Sequence, residues 1–192
     1  MLPYLELKDI SKSFSGVRAL RGVNLRLEQG EIRCLVGENG SGKSTLIKLV
    51  AGIIRPDSGS VLIDGEEHSF LRPRLSIAKG IQVIYQDFSL FPNLTVAENV
   101  ALNTLVASGR RAIDRGEMNE IARKAMERLQ VRLDPDALVE ELPVASKQLV
   151  AIVRAVVQGA RLIIMDEPTT ALTRQESAGE PLVVGANLSF RF

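Results

Sequence analysis

Leu5 and Leu7 alternate with Glu6 and Lys8, and Val23, Leu25 and Leu27 alternate with Asn24, Arg26 and Glu28. Val61 and Ile63 resume this period of two after the turn Arg55-Pro56-Asp57-Ser58-Gly59. Alternation sends apolar side chains to one face only, so these segments predict a small, half-exposed sheet. Three other runs are apolar on both faces and predict buried strands: Ile32–Val36, Ile81–Tyr85 after Gly80, and Arg161–Met165. Helical spacing takes over elsewhere. Thr45–Ala51 predicts a helix closed by Gly52, and Thr95-x-x-Glu98 is a capping box that starts a helix at Val96. Met118, Ile121, Ala122, Ala125 and Leu129 recur at one-face helical spacing. Pro143 precedes a further predicted helix, Val144–Val157, where its fixed φ suits the first turn. From Thr95 to about Leu142 the pattern is helical with polar breaks such as Ser108-Gly109-Arg110-Arg111. These elements define an α/β chain with a helical insertion between two sheet-forming halves, without internal repeats.

The junction between the strand Ile32–Val36 and its helix carries the chemistry. Gly37-Glu38-Asn39-Gly40-Ser41-Gly42-Lys43-Ser44-Thr45 is a complete G-x-x-x-x-G-K-[ST] phosphate loop in the strand–loop–helix setting it requires. Its glycines let backbone N–H groups turn toward phosphate oxygens, and the helix N-terminus adds to the field. Lys43 is placed to reach the β- and γ-phosphates, and the Ser44 hydroxyl to coordinate Mg²⁺. A second site fits the first. The strand ending at Met165 delivers Asp166 and Glu167 at its C-terminal end, the edge of an α/β sheet where ligands bind. Asp166 is assigned to Mg²⁺, and Glu167 to orienting or deprotonating an attacking water.

With 192 residues there is room for one domain with a real core but little for two. A formal net charge of +1 gives no basis for a polyanionic partner, so nucleic acid is not expected. No window holds the ~18 apolar residues of a spanning helix, and the N-terminal residues lack the pattern of a signal peptide, so a cytoplasmic protein is expected. One cysteine excludes an internal disulfide framework; Cys34 is expected to be inert core packing, and His68 a solvated loop residue.

Taken together, these motifs resemble the ATP-binding-cassette ATPases, the motor subunits of ABC transporters, over residues 4 to about 176. The resemblance implies a P-loop NTPase fold with an antiparallel β-subdomain and a helical subdomain at about 95–145. It implies ATP and Mg²⁺ as ligands, and as partners a second cassette, membrane permease subunits and, indirectly, a sugar-binding protein outside the membrane. The chain would then sit peripherally on the inner face of the cell membrane. Phe14 matches the aromatic that stacks on adenine, although alone it reads as a packing residue; Gln86 matches the glutamine that senses Mg²⁺ and the γ-phosphate. Asp87–Asn99 and Ala171-Leu172-Thr173 look like the branch that imports ribose, galactose and xylose, in which this chain resembles the first of two cassettes.

Two departures from the family stand out. Where it has Leu-Ser-Gly-Gly-Gln, this chain has Leu142-Pro143-Val144-Ala145-Ser146. Pro143 offers neither hydroxyl nor N–H to a phosphate held by the opposite cassette. After Glu176 the family pattern stops, no histidine follows Glu167, and residues 177–192 form a tail foreign to the family. The expectation is a first cassette cut short, with C-terminal core elements missing and a sheet edge that Leu182-Val183-Val184 fills only in part. Marginal stability and turnover near background follow from that expectation. The alternatives are a non-transporting nucleotide-binding remnant and, on weaker grounds, a soluble ABC-type factor.

Overall fold

The computed structural model describes residues 2–85, 87–107 and 114–166, together with the backbone of 182–185. Two sheets organise them. The first is antiparallel, in the order β2-β1-β4-β5, formed by β1 (Leu5–Phe14), β2 (Val17–Leu27), β4 (Ser58–Ile63) and β5 (Glu66–His68). The second is parallel, in the order β3-β8-β7-β6, with β3 (Arg33–Cys34), β6 (Ile81–Ile84), β7 (Leu162–Met165) and β8 (Leu182–Gly185). Five helices pack around them: α1 (Lys43–Val50), α2 (Pro73–Ala78), α3 (Val96–Ala107), α4 (Arg115–Arg128) and α5 (Val144–Val157).

The period-two reading of the first sheet holds. Leu5, Leu7, Leu27, Val61 and Ile63 are buried while Lys8 and Arg26 stay exposed. In β7 the same alternation serves two cores, because both faces are covered. Leu162 and Ile164 join the β1, β2, β4 and α1 side chains, whereas Ile163 and Met165 join those of α3, α4 and α5. Each fully buried Leu or Ile contributes about 1.5–3 kcal/mol by leaving water. Four residues of β7 therefore hold both halves of the chain to one sheet.

The capping box closes as expected: Thr95 N donates to Glu98 Oε2 at 2.8 Å, and Glu98 N donates to Thr95 Oγ1 at 3.2 Å. The predicted Val144–Val157 helix is α5, residue for residue. Met118, Ala122 and Ala125 form the buried face of α4, and Leu129 is its C-cap. A cluster at the sheet junction ties the first sheet to the second. Arg161 forks onto both oxygens of Asp64 at 2.7 and 2.8 Å and lies 4.5 Å above the Tyr4 ring, while the Tyr4 hydroxyl donates to Lys79 O at 2.8 Å. The hydrogen bond from Arg161 holds the Asp64 carboxyl below the usual carboxylate range, and burial pushes the Tyr4 phenol up to about 12.

Four expectations need correction. The strand expected over Ile32–Val36 shrinks to Arg33–Cys34, and Val36 is 80% exposed. Its pairing supplies the reason: among the described residues β3 sits at the sheet edge and meets only β8, at two positions. Cys34 is accordingly half-buried rather than core. His68 is not a solvated loop residue but ends β5, with its side chain 14% exposed beside Glu66. The open edge beside β7 is also not found. Leu182–Gly185 lies between β3 and β7 and pairs with all four residues of β7 in parallel register. A four-residue strand suffices there because β7 itself is four residues long. The connection through 167–181, the polar break 108–113 and the rest of the tail lie outside the described residues.

Candidate functional site

Strands β3, β6 and β7 are mutually parallel within their sheet, so the segments that follow them emerge at one edge. After β3 comes the phosphate loop. Gly40 and Gly42 take φ of 84° and 96°, the left-handed region that glycine occupies without strain. A Cβ at Gly42 would lie 2.5 Å from the Ala19 carbonyl oxygen of β2 and 3.0 Å from Leu20 Cδ2, so only glycine fits. Ser41 N donates to Glu38 O at 3.1 Å and closes the loop on itself. Gly42 is the N-cap of α1, and no side chain caps that helix start. Uncapped first-turn amides at the positive end of a helix suit an anion.

Lys43 folds back over this loop. Its Nζ donates to Gly37 O at 2.5 Å, to Glu38 O at 2.9 Å and to Ser41 Oγ at 3.4 Å. The ammonium is thus held above the loop by neutral acceptors, which a phosphate oxygen would outcompete through charge. Gly37, Glu38, Asn39, Gly40, Ser41 and Ser44 are exposed, and Thr45 is half-buried where α1 turns its Leu46–Ile47 face to the core. The residues present fit a polyphosphate.

Asp166 follows β7 directly, and its N–H donates to Ile84 O at 3.1 Å, which fixes the end of β7 against β6. Its carboxylate is near enough to Tyr85 to help raise that phenol, after burial and ahead of Asp87. Gln86 and Glu167, each adjacent in sequence to a described residue, lie outside the described residues. The structure therefore brings Lys43, Ser44 and Asp166 to one sheet edge, and leaves the side chains of Gln86 and Glu167 undescribed.

Phe14 closes β1 opposite Val17 and is 45% exposed. Its ring is therefore not covered as a core packing residue's would be. The hairpin behind it is braced. Asp57 accepts from Lys12 Nζ at 2.6 Å and from Ser13 N at 2.7 Å, and these bonds, the lysine's first, hold its carboxyl below the usual range. Lys12 Nζ also stands 5.5 Å from the Phe14 ring centroid. Phe14→Ala is expected to weaken ATP binding by about 1 kcal/mol, roughly fivefold, through lost stacking on the base. Titration with a fluorescent ATP analogue checks it, and unchanged affinity would return Phe14 to the surface.

Two residues with evident roles carried no assignment in the sequence. Asn99, 2% exposed, accepts from Phe91 N at 2.8 Å and donates to the carbonyls of Phe91, Leu94 and Thr95 at 2.9–3.3 Å, shaping the loop that leads into α3. Arg154 on α5 donates to the carbonyls of Ser89 and Phe88 at 2.8 and 2.9 Å. A basic residue in a helix's last turn ordinarily reads as a match to the helix dipole, so the pattern alone gave no signal. At the other end of α5, Pro143 is the N-cap with φ −58° and ψ 155°, no side chain caps the helix, and Val144 is 55% exposed.

This geometry has known counterparts. The family model described as ABC transporter matches residues 20–170. The chain is 48% identical over 175 residues to the ribose import ATP-binding protein RbsA of Rhodococcus jostii (strain RHA1), covering 91% of this chain and 35% of that protein. It is 43% identical over 172 residues to ribose import ATP-binding protein RbsA 3 of Rhizobium etli, covering 90% of this chain and 34% of the relative. The chain thus spans about a third of the length of the curated relatives it matches. Among solved structures, cbiO1 from Clostridium perfringens, part of the ABC transporter complex cbiONQ, shares the fold at TM-score 0.77 and 23% identity, over 97% of this chain and 79% of that one. The dimeric post-hydrolysis state of the ATP-binding cassette MJ0796, bound to ADP and Pi, matches at TM-score 0.72 and 26% identity, over 95% of this chain and 88% of the other. The chain belongs to the ABC transporter family, as a P-loop ATP-binding cassette.

Proposed function

We propose that this chain is a cassette that binds Mg·ATP at residues 37–45 and, with a second cassette, hydrolyses it to drive import of a simple sugar. The observation that carries the reading is the phosphate loop: an uncapped helix start, a glycine-only position at Gly42, and a lysine ammonium resting on loop carbonyls. Lys43 would exchange those carbonyls for the β- and γ-phosphates, with Phe14 on the adenine face. Ser44, Asp166 and Gln86 would hold Mg²⁺. The ion, when bound, neutralises charge on the phosphate oxygens. Glu167 would accept a proton from the attacking water and align it with the scissile bond, since in-line displacement needs position more than covalent chemistry.

The transport reading draws on the names of the relatives, which are ribose importers' ATP-binding proteins. Among the described residues no helix is long and apolar enough to cross a membrane. The chain would therefore reach the membrane's inner face through permease subunits, which receive sugar from a separate binding protein. The helical subdomain around residues 86–100 would provide the contact with the permease.

A second reading, a cassette that binds ATP but turns it over poorly, is favoured by the start of α5. There the family presents a serine hydroxyl and glycine amides to the opposite nucleotide, and this chain presents Pro143 and the exposed Val144 side chain. Calorimetric titration with Mg·ATP, followed by phosphate release with and without a second cassette, separates the readings. Saturable binding with release supports the first, binding with background release selects the second, and no binding overturns both.

A further inference from the structure

The turn after β6 is built in an unusual way. Phe88 N donates to Tyr85 O at 2.8 Å. Phe88 and Ser89 then take φ of 56° and 47°, two successive non-glycine residues in the left-handed region. Side chains disfavour that region, so a segment with two such residues persists only where its surroundings impose it. Asp87 Oδ1 accepts from Ser89 N and Ser89 Oγ, both at 3.2 Å, which is a local and weak brace. The strong one comes from elsewhere in the chain. Arg154 Nη2 donates to Phe88 O at 2.9 Å and Nη1 to Ser89 O at 2.8 Å, across more than sixty positions of sequence. One planar fork thus holds the carbonyls of both left-handed residues.

The helix that carries Arg154 is itself well anchored. Val150, Ala151, Ile152 and Val153 are at most 2% exposed, and Gln148 Nε2 contacts Met165 Sδ at 3.7 Å, next to Asp166. Arg154 lies ten residues from Val144, so about 15 Å of rigid helix separates the fork from the start of α5.

We propose that Arg154 is a positioning residue through which α5 sets the turn after β6, and with it the metal-dependent part of nucleotide binding. The inference rests on the proposed nucleotide site, in which Gln86, the residue before Asp87 in the sequence, is assigned to Mg²⁺. Arg154 touches neither nucleotide nor metal. It acts by fixing the backbone that presents the ligand, as residues behind a metal ligand do.

The test is ATP affinity of the 192-residue chain with Mg²⁺ and with EDTA, for wild type, Arg154→Met, Arg154→Lys and Gln86→Ala. In Arg154→Met the Mg²⁺-dependent gain in affinity should fall about tenfold, in line with loss of a residue supporting a metal ligand, while affinity in EDTA stays within about twofold. Arg154→Lys, a point charge without the fork, should fall between. In the Gln86→Ala background, Arg154→Met should cost nothing further. A full Mg²⁺-dependent gain in Arg154→Met, or equal losses with and without Mg²⁺, would overturn the proposal, the second marking a purely structural arginine. Should Arg154→Met fail to fold, Arg154→Lys decides: a full Mg²⁺-dependent gain there overturns the proposal as well. Failure of wild type to bind ATP in EDTA and in Mg²⁺ alike would instead strike the nucleotide site itself, and this inference with it.

Discussion

Lys43→Ala should lower Mg·ATP affinity by roughly 100-fold, ~3 kcal/mol, with little loss of stability. The asymmetry comes from what the ammonium touches. It bonds to Gly37 O, Glu38 O and Ser41 Oγ, at an exposed loop where water can replace each bond. Against a triphosphate the same group would make charge-assisted bonds to oxygens bearing most of the ligand's charge, and water is a poor substitute there. The check is a pair of calorimetric titrations alongside thermal unfolding of both proteins. Equal affinity would remove the phosphate loop from the site, and a large drop in melting temperature would make Lys43 a structural residue.

Glu167→Gln should leave ATP binding intact and reduce whatever turnover the chain shows by about 100-fold or more, because an amide cannot take a proton from water. The assignment rests on sequence adjacency: Asp166 is fixed at the end of β7 by its bond to Ile84 O, and Glu167 is the next residue. Steady-state phosphate release, with binding measured on the same sample, is the check. Unchanged turnover in Glu167→Gln would move the base role elsewhere. Turnover at background in wild type, with tight binding, would match the poorly hydrolysing reading that Pro143 and Val144 suggest.

Much of this architecture was legible where one physical signal dominated. Period two in β1, β2 and β4 and the Thr95–Glu98 box each depend on neighbours in sequence, and each formed as expected. The phosphate loop was legible because Gly42 admits no side chain against Ala19 O, so the motif carries its own steric requirement. What escaped depended on distant partners. β3 reads as a buried strand, yet its burial depends on a neighbouring strand, and β8 meets it at only two positions. The sequence pattern has Leu182-Val183-Val184 fill the edge beside β7 only in part; that Leu182–Gly185 pairs along the whole of β7, between it and β3, depends on a slot set by strands far away in sequence. Arg154 escaped for the same reason: its acceptors are carbonyls far away in sequence, and carbonyls have no residue-type signature.

Amide hydrogen exchange with and without Mg·ATP tests the central claim most directly, because it reports where on the chain the nucleotide sits. The account predicts slowed exchange at residues 37–45 and in the hairpin around Phe14, with lesser slowing in the turn at 87–89. Unchanged exchange at 37–45 under saturating Mg·ATP, or protection confined to another surface, would contradict it.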